Sequence, residues 1–324
     1  MSDYGNAQVH HSPYYPRAAG YYCDAHYALI EATMTAHLLD AIQQRPLLGD
    51  GALGTQLIIA GLEPGGCGEA WNLTHPERVL AIQRSYVQAG SECLLTNTFG
   101  ASRIALHRHS HADDVAGINR AAVQIARQAF DGRTGFVIGN IGPFGGLMEP
   151  YGEFTEEQVR EAFDEQAAAL IEAGADAIII ETQTSLEELR LGLEAANKAG
   201  SPCVIGSLAY NVTPDGSAFL TSMGISPEQA AEFMEEQGAD IVGLNCGTGM
   251  DMARALQAVL RYRQFTVLPV MVQPNANHET PQQMAGGVAP LLSAGAVIVG
   301  ACCGSTPDHI RAFRVAIDGY MAHR

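Results

Sequence analysis

Eight short apolar runs, each followed by a stretch of helical periodicity, restrict the possible folds of this chain more than any other feature. They are "PLLGD" (46–50), "CLLTNTF" (93–99), "GFVIGNIG" (135–142), "AIIIET" (177–182), "PCVIGSLAY" (202–210), "IVGLNC" (241–246), "VLPVMVQPN" (267–275) and "AVIVGACC" (296–303). The runs are continuous rather than alternating and rich in Val, Ile and Leu, the pattern of parallel strands buried on both faces. Between them lie helix signatures such as "TEEQVREAFDEQAAALIEAGA", in which Thr155 is a good N-cap and Glu156 and Glu157 put acids in the first turn. Strand and helix repeated eight times predict a (β/α)8 TIM barrel. A doubly wound open sheet is the competitor, but the first strand is not followed by GxGxxG. Ahead of the first run, residues 1 to about 23 read as an irregular arm, and Asp24 to Arg45 as one amphipathic helix. The expected organisation is an N-terminal arm and helix (1–45) followed by the barrel (46–324), with no low-complexity linker between.

Charge and cysteine usage remove several classes of function. Lys and Arg total 18 against 35 acids, a formal net charge of −17, so a phosphate-backbone partner is not expected. The only lysine, Lys198, falls near a helix end ahead of a strand, the wrong place for a Schiff-base nucleophile, and reads as a solvated surface charge. Seven cysteines with no CxxC pair and no apolar export segment indicate a reducing compartment, and no run reaches the roughly 20 apolar residues of a membrane span. A cytoplasmic protein without membrane or nucleic-acid partners is the expectation. The N-terminal tyrosines Tyr14, Tyr15, Tyr21 and Tyr22 suit an interface, which leaves a homo-oligomer open.

In a barrel, chemistry gathers at the C-terminal ends of the strands. Here those ends carry Asp50, then Thr96, Asn97 and Thr98, then Asn140, Glu181, Asn245 with Cys246, Gln273 with Asn275, and Cys302 with Cys303. So many polar groups at the ends of buried strands imply that they converge on something. Cys302 and Cys303 are adjacent, and a structural disulfide between neighbours is disfavoured by its geometry. Together with Cys246 they can converge on one ion, since tetrahedral zinc takes thiolates at about 2.3 Å and a catalytic site keeps its fourth position open. Both adjacent cysteines face inward only if the strand kinks or bulges, with Gly300 and Gly304 at hand to allow it. Packing as small buried hydrophobes and a metal-free reactive dithiol are the other readings. His107, His109 and His111 read as a solvated face, and Cys67, Cys23, Cys93 and Cys203 as packing residues.

"LLGDGALGTQL", "LLTNTFGAS", "IIIET", "GLNCGTG", "PNA" and "GACCGSTPDHI", in order over about 46–320, resemble the homocysteine S-methyltransferase family, and within it the homocysteine-binding barrel of the cobalamin-dependent methionine synthases. The resemblance implies Zn2+ held by Cys246, Cys302 and Cys303, with the homocysteine sulfur, or that of a similar small thiol, as fourth ligand. It also implies Asp50 and Glu181 around the substrate amino group and the backbone amides from Gly51 onward at its carboxylate. Thr98 and Asn245 complete the candidate substrate-binding set, Asn245 as a neighbour that orients the site. The implied donor is methylcobalamin or another methyl-corrinoid, arriving free or on a corrinoid protein, because this chain shows no DxHxxG signature of a corrinoid-binding module. Gly100 follows Phe99 where an aromatic would be expected if the donor were a betaine-like onium. S-methylmethionine or an onium as donor, and a non-catalytic zinc-binding scaffold in a corrinoid methyl-transfer system, are the alternatives.

Overall fold

The computed structural model describes residues 37–323. Each of the eight apolar runs contains a strand: β1 (Leu47–Leu48), β2 (Cys93–Leu95), β3 (Phe136–Ile141), β4 (Ala177–Gln183), β5 (Val204–Leu208), β6 (Ile241–Asn245), β7 (Val270–Gln273) and β8 (Ala296–Val299). Successive strands pair in parallel from β2 to β8, and β8 pairs with β1. The seam between β1 and β2 has no ladder. Instead the Glu92 N–H donates to Leu48 O (2.8 Å), and the Glu92 carboxylate holds Arg45 (2.5 Å) and Arg314 (2.9 Å). This is the (β/α)8 barrel that the alternation predicts.

Side-chain parity divides the core in two. Leu47, Cys93, Leu95, Phe136, Ile138, Ala177, Ile179, Cys203, Ile205, Ile241, Met271 and Ile298 form one buried apolar cluster inside the ring. Residues one position away, such as Leu48, Leu94, Val137, Ile178, Val242 and Val299, belong to a second cluster, shared with the surrounding helices. The helix Leu38–Gln44 presents Leu38 and Ile42, four residues apart, to the inner cluster and so closes the amino-terminal end of the barrel. The part of the expected Asp24–Arg45 helix before residue 37 lies outside the described residues, as does the N-terminal arm.

The outer helices begin as their sequences dictate. Thr155 caps Glu156–Glu172 with a full capping box to Gln158, and Ser226 caps Pro227–Glu236 in the same way. A small antiparallel hairpin, Asn211–Val212 with Phe219–Leu220, follows β5 and was not expected from the sequence. Its turn, "TPDG", carries a recognisable signal. Among the described residues no helix is long and apolar enough to cross a membrane.

A candidate metal centre and substrate pocket

Continuing the inward parity upward gives Asn140, Glu181, Ser207, Asn245 and Gln273, all buried. The apolar barrel interior therefore turns polar at its carboxyl end. β6 stops at Asn245, and the next residue, Cys246, adopts φ 55° while its N–H donates to Gln273 O (3.2 Å) of the neighbouring strand. β8 stops earlier than its apolar run suggests, at Val299. Cys302 and Cys303 lie in a turn rather than in the kinked strand that the sequence suggests.

That turn is tied on both sides. The Ala301 N–H donates to Asp50 O (2.9 Å), the Cys302 N–H to Pro274 O (2.8 Å), and Cys303 O accepts from the Ala276 N–H (3.0 Å). A Cβ on Gly300 would sit 2.8 Å from Asp50 O, so only glycine lets the two segments pass. Ser305 Oγ accepts from the Ala52 N–H (2.9 Å), and the Gly304 N–H donates to Thr55 Oγ1 (3.2 Å), which staples "GACCGST" to "GDGALGT". One of the amides expected to meet a substrate carboxylate, that of Ala52, is thereby occupied within the protein.

The turn brings three sulfurs together. Cys246 Sγ lies 3.8 Å from Cys303 Sγ, Cys302 Sγ lies 3.9 Å from Cys303 Sγ, and all three fall within 4.8 Å of one another. A tetrahedral ion with metal–sulfur bonds of about 2.3 Å requires sulfur–sulfur edges of about 3.8 Å. Two of the three edges match that value and the third lies within 4.8 Å, so the donor set suits zinc. Without a metal, hydrogen bonds from Cys302 and then Cys303 lower the Cys246 thiol far below its ordinary pKa, and the thiolate so formed raises both donors. Three thiols at this spacing share their protons until a cation replaces them. Asn275 stands beside them, its Nδ2 donating to Gly247 O (3.0 Å) and its buried Oδ1 without a protein partner.

The thiols open onto a cavity of about 450 Å3 that Asp50, Thr98, Phe99, Asn140, Glu181 and Thr182 also line. Among the described residues its titratable lining is acidic or thiol throughout, with Glu63 and Glu69 as further carboxylates and no Lys, Arg or His. Glu63 and Glu69 were not foreseen as pocket residues. Glu69 accepts from the Gly100 N–H (2.8 Å), which ties the long segment after β1 to the segment after β2. Burial raises the Asp50 carboxyl well above the usual range despite a bond from the Leu95 N–H (2.8 Å). Burial likewise pushes Glu181 up to about 7, opposed by a hydrogen bond from Asn140 Nδ2 (2.8 Å). Both carboxyls resist ionisation because burial strips the charged form of water.

The other expected residues are placed as follows. Gly51 lines the pocket, packed so closely on Ser305 and Tyr86 that a Cβ would approach either within 2.8 Å. The Thr98 hydroxyl is engaged with Asn140 O (2.7 Å) and Thr96 Oγ1 (2.6 Å), so it braces β2 against β3 at the pocket wall. Asn245 spends its side chain on Thr182 and Ser207. Thr182 itself was not singled out, yet it lines the pocket with φ 60°, a conformation that costs a β-branched residue about 1–3 kcal/mol. Cys67 packs against Ala101, Leu106, Val115 and Ile118, and burial pushes its thiol up to about 11. His107 and His109 are exposed, His111 pairs with Asp114, and Lys198 pairs with Asp164 at the surface.

A sequence model of the family described as "Homocysteine S-methyltransferase" matches residues 47–317. The chain belongs to that family. It is 32% identical over 310 residues to a methionine synthase of Mycobacterium tuberculosis, and 32% identical over 309 residues to a methionine synthase of Mycobacterium leprae. Each match takes in 86% of this chain but 25% of the relative, so the family member described here spans about a quarter of the length of these proteins. Among solved structures, the metallated form of the Escherichia coli homocysteine methyltransferase MmuM superposes with a TM-score of 0.72 at 22% identity, covering 86% of this chain and 99% of that one. Its apo form gives a TM-score of 0.66 at 24% identity, covering 86% of this chain and 98% of that one. Both likenesses agree with the barrel fold.

Proposed function

We propose that this methyltransferase moves a methyl group from a methylated corrinoid, free or carried on a partner protein, to the sulfur of homocysteine, forming methionine, with Cys246, Cys302 and Cys303 holding Zn2+. The observation that carries the reading is the sulfur spacing of 3.8 and 3.9 Å, matched to one tetrahedral ion. Zinc held by Cys246, Cys302 and Cys303 would lower the pKa of a substrate thiol and so supply a nucleophilic sulfur at neutral pH.

The remaining work falls to the chain. Glu181 and Asp50 take the substrate ammonium, whose charge offsets the cost of ionising carboxyls in a buried place. The tied turn 300–304 holds two of the thiols in place, and Gln273 anchors the backbone of the third. Leu57, Ile58 and Leu62 add apolar surface to the lining of the same cavity. In the transfer, the sulfur–carbon bond forms as the bond from methyl to donor breaks. The electron pair leaves with the corrinoid, and the thiol proton goes to solvent.

Two observations bear on the donor. Among the described residues the cavity lining contains one aromatic residue, Phe99, where a cage for a quaternary ammonium needs several rings. Against this, Glu63 and Glu69 give the mouth a negative charge that suits a sulfonium donor such as S-methylmethionine. The zinc-loaded protein assayed with homocysteine and methylcobalamin, S-methylmethionine or betaine, with methionine as readout, decides between them. The expected result is turnover with methylcobalamin. Cys246→Ser is expected to lose stoichiometric zinc and at least about a hundredfold in rate. Full zinc-free activity, or an unimpaired Cys246→Ser variant, overturns the proposal.

A further inference from the structure

Two pocket residues, neither of them glycine, have positive φ: Thr182 (60°), directly after Glu181, and Cys246 (55°), directly after Asn245. A single side chain joins the two places. Asn245 Oδ1 accepts from the Thr182 N–H (3.1 Å), and its Nδ2 donates to Thr182 Oγ1 (2.7 Å). β5 lies between β4 and β6, and its Ser207 hydroxyl donates to the same Oδ1 (2.7 Å). The asparagine therefore reaches over a strand and grips the backbone and side chain of one residue on the far side.

The grip falls where the sheet lets go. β4 pairs with β3 as far as Ile180, and its pairing with β5 skips from Ile180 to Gln183. Glu181 and Thr182 thus have no ladder partner on either side. Their place is set by Asn140 at the Glu181 carboxylate (2.8 Å), by Gln183 Nε2 at Glu181 O (3.3 Å), and by Asn245 at Thr182. Thr182 keeps an unfavourable backbone conformation, and Asn245 supplies two bonds that reward it for doing so.

We infer that Asn245 and Thr182 are positioning residues that set the distance between the Glu181 carboxylate and the Cys246 sulfur, and with it the length of acceptor thiol the site selects. One end of this clamp precedes Thr182, where the substrate ammonium is received. The other end leads directly into Cys246, where the substrate sulfur is received. An acceptor held at both ends is measured: homocysteine spans the gap, and cysteine, one methylene shorter, engages one end only. A pocket that senses a methylene through packing alone discriminates about 10- to 200-fold. A fixed separation between two polar anchors adds to that, because the short substrate leaves a buried carboxyl unpaired.

This inference rests on the acceptor reading above, and its test separates the two. Homocysteine and cysteine are titrated calorimetrically into the zinc-loaded protein and into Asn245→Ala, Thr182→Gly and Thr182→Ser, with bound zinc and melting temperature measured for each. Asn245→Ala is expected to lower the homocysteine-to-cysteine affinity ratio about tenfold while retaining zinc, with KM rising more than kcat falls. Thr182→Gly relaxes the positive φ but removes the hydroxyl anchor, so the ratio is expected to fall with no loss of melting temperature, a combination that a folding defect does not give. Thr182→Ser keeps the hydroxyl and is expected to restore the ratio. An unchanged ratio in Thr182→Gly, with zinc retained, overturns the clamp whether or not Asn245→Ala folds. Failure of the unaltered protein to bind homocysteine counts instead against the acceptor reading.

Discussion

The two ends of the barrel interior use the same residue type for opposite purposes. At the amino end, Cys93 and Cys203 are buried among Leu38, Ile42, Phe136 and Ile241, and desolvation drives both thiols well above their ordinary pKa. At the carboxyl end, Cys246, Cys302 and Cys303 bond one another, and Cys246 is driven strongly down. Burial raises a thiol's pKa; hydrogen bonds from two neighbouring thiols lower it. The same contrast holds for the whole interior. The inward positions of one strand run Ala177, Ile179, Glu181, those of another Phe136, Ile138, Asn140, and the change from packing to chemistry takes a single two-residue step.

If the amino end serves stability and the carboxyl end serves function, substitutions should separate cleanly. The largest effect is expected from Ile42→Ala, which removes part of the plug under the barrel: about 3 kcal/mol of stability by denaturant unfolding, with kcat/KM unchanged in the folded fraction. A loss of activity without a loss of stability would break the division.

Glu181→Gln is expected to raise the KM for homocysteine about 30-fold, close to 2 kcal/mol, through loss of a charge-assisted bond. Its pH dependence follows from the carboxyl lying at about 7 in the empty site. Binding an ammonium favours the ionised form, so homocysteine affinity should climb as pH rises through about 7, and the variant should lack this step. Stability moves the other way. A folded pKa above the unfolded value means that the folded state binds the extra proton, so this contribution is full below about 4.5 and is lost as pH rises through about 7. Thermal melts from pH 4.5 to 8 should fall more steeply for the natural protein than for Glu181→Gln.

The smallest effect is expected from Cys203→Ala, about 1 kcal/mol for a buried sulfur, with zinc content and activity retained. Zinc loss in that variant would mean that the lower thiols are not the inert set.

Much of this arrangement could be read before any coordinates. Continuous Val- and Ile-rich runs mark doubly buried strands, and their polar ends mark the pocket, because both follow from local composition. Strand ends were less legible. The run "CLLTNTF" yields a strand over Cys93–Leu95 only, since Thr96, Asn97 and Thr98 turn aside to bond Asn140, Asn72 and each other. "AVIVGACC" stops at Val299 because Gly300 must pass Asp50 O, a tertiary contact that the sequence does not display. The positive φ of Thr182 runs against its residue type and is held by bonds from Asn245, two strands away. The acidic lining contributed by Glu63 and Glu69 was hidden for a similar reason, since the fold of the long loop after β1 decides which of its side chains face the cavity.

Leu38 and Ile42 fill the amino end of the barrel interior, and the cavity lies at the opposite, carboxyl end. If the acceptor's amino end reaches Asp50 and Glu181, as proposed, it takes the innermost berth, and a bulky donor binds outside it. Under the proposed chemistry, the queue is set by architecture: acceptor in first, donor second, spent donor out, methylated product last.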